Sequence, residues 1–231
     1  MNGWHYLHVG NQYLSTHIDP IFISYHLNKN KKLSSIFIDS LKNHSPIGCR
    51  DIKTRDILQK YGINSYFSSC LTTTLDIDFA IDENKRTNEI IFIDYKFGNY
   101  PQADKFISSL NAYNFNNISH TYHHFNIKLN HIERFRLAKS LLNRYARAKL
   151  IITTRIHGAL PCLAFNTPVI FINKKYDHQR FTGLYELLNT IGINFKNKFE
   201  IRVNINNKGY VYNSKKFLNY SNHIKNILRN I

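Results

Sequence analysis

The chain has 231 residues, enough to bury a core as one large domain or two small ones, and its 43% hydrophobic content excludes an intrinsically disordered chain. A formal net charge of +16 asks for an anionic partner, but the cations are scattered, the densest run (NKNKK, 28–32) is short, and no nucleic-acid-binding motif accompanies it, so nucleic acid is not among the expected partners. Cys49, Cys70 and Cys162 lie far apart with no CxxC spacing, which excludes a disulfide framework and gives no metal site.

In chain order, MNGWHYLHVG carries neither a charged leader nor an apolar core. No apolar run anywhere approaches the ~20 residues that span a bilayer. The expected location is therefore cytoplasmic. PIFISYHL (20–27) reads as a strand, SSIFIDSLKNH (34–44) as a short helix, and PIGCR (46–50) as a strand running into a polar turn. DIKTRDILQKYG (51–62) reads as a helix with Asp51 at its N-cap, Ile57 and Leu58 on its apolar face and Gly62 at its end. INSYFSSCLTTTL (63–75) returns as strand and loop, and the charged stretch 76–88 reads as a joint between two lobes.

A second alternation follows. EIIFIDY (89–95) has the continuous apolar character of a parallel strand. A helix near 101–110, an extended segment near 118–125 and a helix over 131–148 come next, the last with Phe135, Ala138, Leu142 and Tyr145 at helical spacing. Strand 149–153, loop 154–157, helix 158–165 and strand 168–172 lead to two expected helices, 180–192 and about 214–229, the latter burying Phe217, Leu218, Ile224 and Leu228. Strands alternating with helices predict an α/β fold with parallel sheets. Two such runs predict two Rossmann-like lobes, residues 1–80 and 81–231, the first contributing only about three strands.

Ligands of such sheets bind beyond the carboxyl ends of the strands. Arg155 and His157 fall there. On an extended segment their side chains would share one side, and the amides of a helix beginning near Gly158 would face the same anion. The competing assignment pairs Arg155 with a structural carboxylate and makes His157 a helix cap. Arg50, in CRDIKT (49–54), is a second cation at a strand end. His120, His123 and His124 cluster in SHTYHHF, which reads as a surface loop rather than a metal site. Asp177 and Arg180 either line a cleft mouth or cap a helix. No Gly-rich phosphate loop, HExxH or GxSxG occurs.

Several ordered blocks give the chain a family resemblance: NGW (2–4), PIFISYHL, PIGCRDIKTRDILQKYGINSYFSSCLTTTL (46–75), LIITTRIHGALPCLAFNTPVIFI (150–172) and RFTGLYELL (180–188). In these the chain resembles the polysaccharide pyruvyl transferases. The resemblance implies a fold similar to the two-lobed GT-B glycosyltransferases, and transfer of a pyruvyl group from phosphoenolpyruvate to a sugar as a cyclic ketal. It implies no cofactor beyond that donor, a role in surface-polysaccharide assembly, and an acceptor that includes the lipid-linked kind, with peripheral contact at the inner face of the membrane. It places the family's Arg-x-His motif on Arg155 and His157, with donor binding and catalysis, adds the Gly158 amide to the donor site, and makes Arg50 the second donor-binding candidate. Ser69 and Thr73 stand where the family pattern leads one to expect Gly and Leu, and Ile156 where Leu is usual. Members typically begin with a strand and an Asn-x-Gly-Asp-like turn before the NGW block, whereas Met1 stands directly at it, so the expected N-terminal lobe is incomplete. The alternatives are a GT-B-like glycosyltransferase using a nucleotide-sugar and an inactive, truncated glycan-binding remnant.

Overall fold

The structure is a computed structural model that describes residues 3–5, 17–27, 33–79, 81–123, 128–173, 181–193 and 198–230. The basic run 28–32, His124, Asp177 and Arg180 lie outside the described residues. The chain divides into two compact units: residues 1–71, 178–186 and 217–231 form one, and residues 72–177 and 187–216 the other. A linear division at residue 80 differs from this in where it puts 72–80, 178–186 and 217–231.

The first unit holds a four-stranded parallel sheet, β1 (Gly3–His5), β2 (Tyr25–Leu27), β3 (Ile47–Cys49) and β4 (Ser65–Phe67), in that spatial order. That is one strand more than the three read from the sequence, because 3–5 pair with β2. The strand expected over 20–27 is confined to 25–27, since Ser24 takes φ +57 and its N–H donates to the Ser68 hydroxyl (3.1 Å) instead of continuing a ladder. Helix α1 (Ser35–Asn43) is capped by the Ser34 side chain, and α2 (Ile52–Lys60) by Asp51, whose carboxylate accepts the Thr54 N–H at 2.8 Å. Gly62 follows α2 at φ +69, the left-handed turn its lack of a side chain permits. Leu41, Ile47, Cys49, Leu58 and Ile63 make the core between these helices and the sheet.

The second unit begins with α3 (Asp76–Phe79) inside the stretch expected as a joint. Its sheet contains β5 (Ile90–Ile93), β6 (Ile118–Thr121), β7 (Leu150–Thr153), β8 (Val169–Asn173), β9 (Asn189–Ile193) and β10 (Phe199–Arg202), ordered β10-β9-β8-β7-β5-β6. All its pairings are parallel except β10 with β9. Helices α4 (Pro101–Ser108), α5 (His131–Arg147) and α6 (Ile156–Ala164) connect the first four strands. Strands β5 and β7 are buried at every position, which is why they read as unbroken apolar runs. Mixed α/β architecture with predominantly parallel sheets is thus the observed fold class.

Two helical expectations fail. The helix expected over 180–192 is not found in its described part, 181–192: 185–187 form one 3-10 turn and 189–193 are strand β9. Gly192 shows why, because a Cβ there would lie 2.1 Å from the Asn173 carbonyl oxygen of β8, a backbone approach only glycine allows. Helix α5 does form, with a complete capping box between Asn130 and Glu133, but of its expected buried face only Tyr145 is buried, and Phe135 is 72% exposed. At about 1.5 Å per residue α5 is roughly 25 Å long, against roughly 13 Å for a four-residue strand, so its N-terminal half overhangs the carboxyl edge of the sheet. The last helix, α7 (Phe217–Arg229), belongs to the first unit and buries Phe217 and Ile224 but leaves Leu218 and Leu228 exposed.

Candidate active site

Strand order places Arg155 and His157 of the candidate site at a switch point within the second unit. From β5 the chain crosses by α4 to β6 on one side, then returns by α5 to β7 on the other. The carboxyl ends of β5 and β7 therefore flank a topological switch point, the crevice where open α/β sheets bind ligands. Asp94 follows β5 there, and Thr154 and Arg155 follow β7.

Arg155 donates from Nε to Asp94 Oδ2 at 2.6 Å. Its side chain is 43% exposed, and its two Nη groups make no other ion pair or hydrogen bond among the described residues. The carboxylate partner foreseen as an alternative thus exists, but it engages one nitrogen of three. The Thr154 hydroxyl donates to the Asp94 carbonyl (2.9 Å), and the Arg155 N–H to the Thr153 hydroxyl (3.0 Å), so the turn is tied down on both sides.

Helix α6 starts at Ile156, two residues before the expected start, so Arg155 is its N-cap and His157 lies in its first turn rather than on an extended segment. The Arg155 side chain makes no capping bond. The Gly158 N–H is engaged by the Arg155 carbonyl at 2.9 Å, which removes it from the amides expected to face an anion. What Gly158 provides is space: a Cβ would meet Thr153 Oγ1 at 2.9 Å and Ile93 Cδ1 at 3.3 Å. Its absence lets α6 close onto the ends of β5 and β7.

His157 is exposed and lines a cavity of about 610 Å3. Helix α5 supplies the apolar wall through Leu137, Leu141 and Leu142, and Arg134 adds a cation. His123 and Tyr145 also line it, with His123 Nε2 2.8 Å from the Tyr145 hydroxyl. Burial pushes the Tyr145 hydroxyl pKa well above the usual phenol value, so it remains a neutral hydrogen-bonding group. Arg144 anchors this helix by a two-bond pair to Glu89 (2.6 and 3.3 Å), and that pairing holds the Glu89 carboxyl below its ordinary pKa.

His120 stacks on Phe92 at 5.4 Å, apart in role from His123. Among the described residues no group of three or more His, Cys, Asp or Glu side chains is placed to hold a metal ion. The three cysteines are buried free thiols. Burial raises the pKa of Cys49 and Cys162 far above the ordinary thiol value, which makes them inert hydrophobes.

Arg50 follows β3 in the first unit and is buried, its N–H donating to the Tyr25 carbonyl at 2.8 Å. Beside it, buried Asp51 pairs with buried His26 at 2.5 Å while capping α2. Asp94, His123 and Tyr145 were not singled out in the sequence as site residues. Their signal was faint: an acid one position beyond an apolar strand, a histidine in a cluster read as a loop, and a tyrosine counted as core.

A predominantly parallel α/β sheet thus carries, beside its switch point, an arginine held at one nitrogen and a histidine that lines a cavity, at the edge where open α/β sheets bind ligands. The family model for polysaccharide pyruvyl transferase matches residues 15–176, more than half of the chain, and includes both the CRD and RIH blocks. The chain belongs to the polysaccharide pyruvyl transferase family. That family is one of transferases, with a sugar as acceptor. No curated protein and no solved structure gives a significant match. Among the described residues no helix is long and apolar enough to cross a membrane.

Proposed function

We propose that the chain transfers a pyruvyl group from phosphoenolpyruvate to a sugar, with Arg155 and His157 at the donor site. The observation that carries this is the Arg155 guanidinium, held at one edge by Asp94 with both Nη groups unengaged among the described residues, two residues from a histidine that lines a cavity of about 610 Å3. A fork of that kind suits the carboxylate or phosphate of phosphoenolpyruvate. The cavity falls in the size range of small-ligand sites.

In the reaction a proton is added to the methylene carbon, one sugar hydroxyl attacks the adjacent carbon, and a second hydroxyl displaces phosphate to close the ketal. One hydroxyl proton balances the new methyl group and the other leaves with phosphate or solvent. The imidazole of His157 is suited to move one of these protons near neutral pH. The donor carries its own leaving group, so no cofactor enters the balance. Arg50 is the second donor-binding candidate, on the family resemblance of the CRD block, and Gly158 contributes through the close seating of α6.

The two units are read as the Rossmann-like lobes of a GT-B-like enzyme, each with its own predominantly parallel sheet. A lipid-linked acceptor in surface-polysaccharide synthesis, met at the inner face of the membrane, fits the exposed Ile132 and Phe135 of α5 beside Arg134, Arg136 and Lys139.

The test is phosphoenolpyruvate titration by calorimetry together with sugar-dependent phosphate release, using free and lipid-linked acceptors. Arg155→Ala should weaken donor binding by about 1.5 kcal/mol or more, the scale of a hydrogen bond to a charged group. His157→Gln should keep much of that affinity and lose roughly 10²–10⁴-fold in turnover, the usual share of acid–base catalysis. Equal donor affinity in Arg155→Ala removes Arg155 from the site. Nucleotide release from a nucleotide-sugar in place of phosphate release makes the chain a glycosyltransferase, and sugar binding without either marks a glycan-binding remnant.

A further inference from the structure

Asp94 is the point at which three neighbouring strand ends are tied together. Its N–H donates to the carbonyl of Thr121, the last residue of β6 (2.9 Å), and its carbonyl accepts the Thr154 hydroxyl just beyond β7 (2.9 Å). Its two carboxylate oxygens are divided: Oδ2 accepts Arg155 Nε at 2.6 Å, and Oδ1 accepts the His123 N–H at 3.3 Å. The residue does this at φ +48, a left-handed backbone that carries a cost for side chains other than glycine, smaller for Asp and Asn than for most. A partly exposed ion pair returns little stability for such a conformation. Strain held in place by surrounding bonds is what functional positions display.

We infer that Asp94 is the positioning residue of the donor site. By gripping Nε it fixes the guanidinium plane and leaves the Nη pair as a preset fork for the donor anion. By gripping the 123 amide it seats His123 against Tyr145 on the wall that His157 also lines. The inference rests on the reading of Arg155 as a donor ligand, and it predicts coupling that a purely structural aspartate would not show.

Phosphoenolpyruvate titration of the full chain tests this, with thermal unfolding as the control. Asn tolerates the left-handed region but offers one acceptor where Asp offers two, so Asp94→Asn should raise the donor Kd about tenfold, the factor of a lost hydrogen bond to a charged group. Asp94→Gly, which relieves the backbone and removes both arms, should raise it at least as much without lowering the unfolding temperature. In an Arg155→Lys background, where no Nε remains to grip, Asp94→Asn should have no further effect on Kd. An unchanged Kd in both Asp94 variants, beside a raised Kd in Arg155→Lys, overturns this inference and leaves the donor site standing. A full Asp94→Asn effect in the Arg155→Lys background also overturns it. A donor Kd that Arg155→Lys leaves unchanged, or a wild-type chain that binds no phosphoenolpyruvate, sinks the donor-site reading and this inference with it.

Discussion

Ser69 adopts φ +65 and its buried hydroxyl meets no hydrogen-bond partner among the described residues. It stands where the family pattern leads one to expect glycine, and the backbone gives the reason for that glycine. A non-glycine residue in the left-handed region costs roughly 1–2 kcal/mol, while glycine costs roughly 0.4–1 kcal/mol through the freedom it adds to the unfolded chain. Relief of the orphaned hydroxyl tips the balance further. Ser69→Gly is therefore expected to stabilise the protein by about 1 kcal/mol, read as a higher denaturant midpoint, whereas a lower midpoint would contradict the strain. At this scale Arg155 and His157 stand out in the sequence because cations at the end of an apolar strand have no place in a core, and the structure leaves both exposed. Asp94 does not stand out, because its partner lies 61 residues away and one acid beside an apolar run carries no pairing information.

Elements read well where one local signal dominated. Ser34, Asp51 and Asn130 cap their helices, and the fully buried strands β5 and β7 formed as expected. The helix expected over 180–192 misreads because Phe181, Leu184, Leu188 and Ile191 recur at three- and four-residue spacing, as on a helix face, although each is buried by packing of another kind. Gly183 breaks the pattern at φ +84, against Ile52 and Phe67, and β9 then pairs with β8 from Asn189 onward. Gly192→Ala separates the two conformations. In a helix the change would stabilise by roughly 1 kcal/mol. In β9 it drives a methyl group into the Asn173 carbonyl, and the expected loss is about 3 kcal/mol or more, the range of severe steric mutations. Chemical denaturation of the variant decides it, and a neutral or stabilised protein would mean that 189–193 is not this strand. The exposure of Phe135 is the second lesson of this scale: spacing gives the apolar face of α5 but not how far the helix outruns the sheet that would cover it.

On the scale of the whole molecule, sequence order and spatial order part company. The chain leaves the first unit at about residue 71, returns over 178–186, leaves again, and ends in it with α7. Reading along the chain assigns α7 to its sequence neighbours, because a linear reading has no means of seeing a return. The contacts of α7 show where it belongs: Tyr220 packs edge-on against Phe67 of β4 at 4.9 Å and His223 against Tyr66 at 5.2 Å, while Phe217 and Ile224 are buried. Burying a side chain of that size contributes about 1.5–3 kcal/mol. Each ring pair adds about 0.5–1.5 kcal/mol. Together these are comparable to the roughly 5–15 kcal/mol that holds a domain folded. Deleting 217–231 should therefore open the first unit while leaving the second intact. Hydrogen exchange resolved by peptide reads both at once: amides of 47–49 and 65–67 should lose protection, and those of 90–93 and 150–153 should keep it. Loss confined to 90–93 and 150–153 would return α7 to the unit of its sequence neighbours and refute the discontinuous division of the chain.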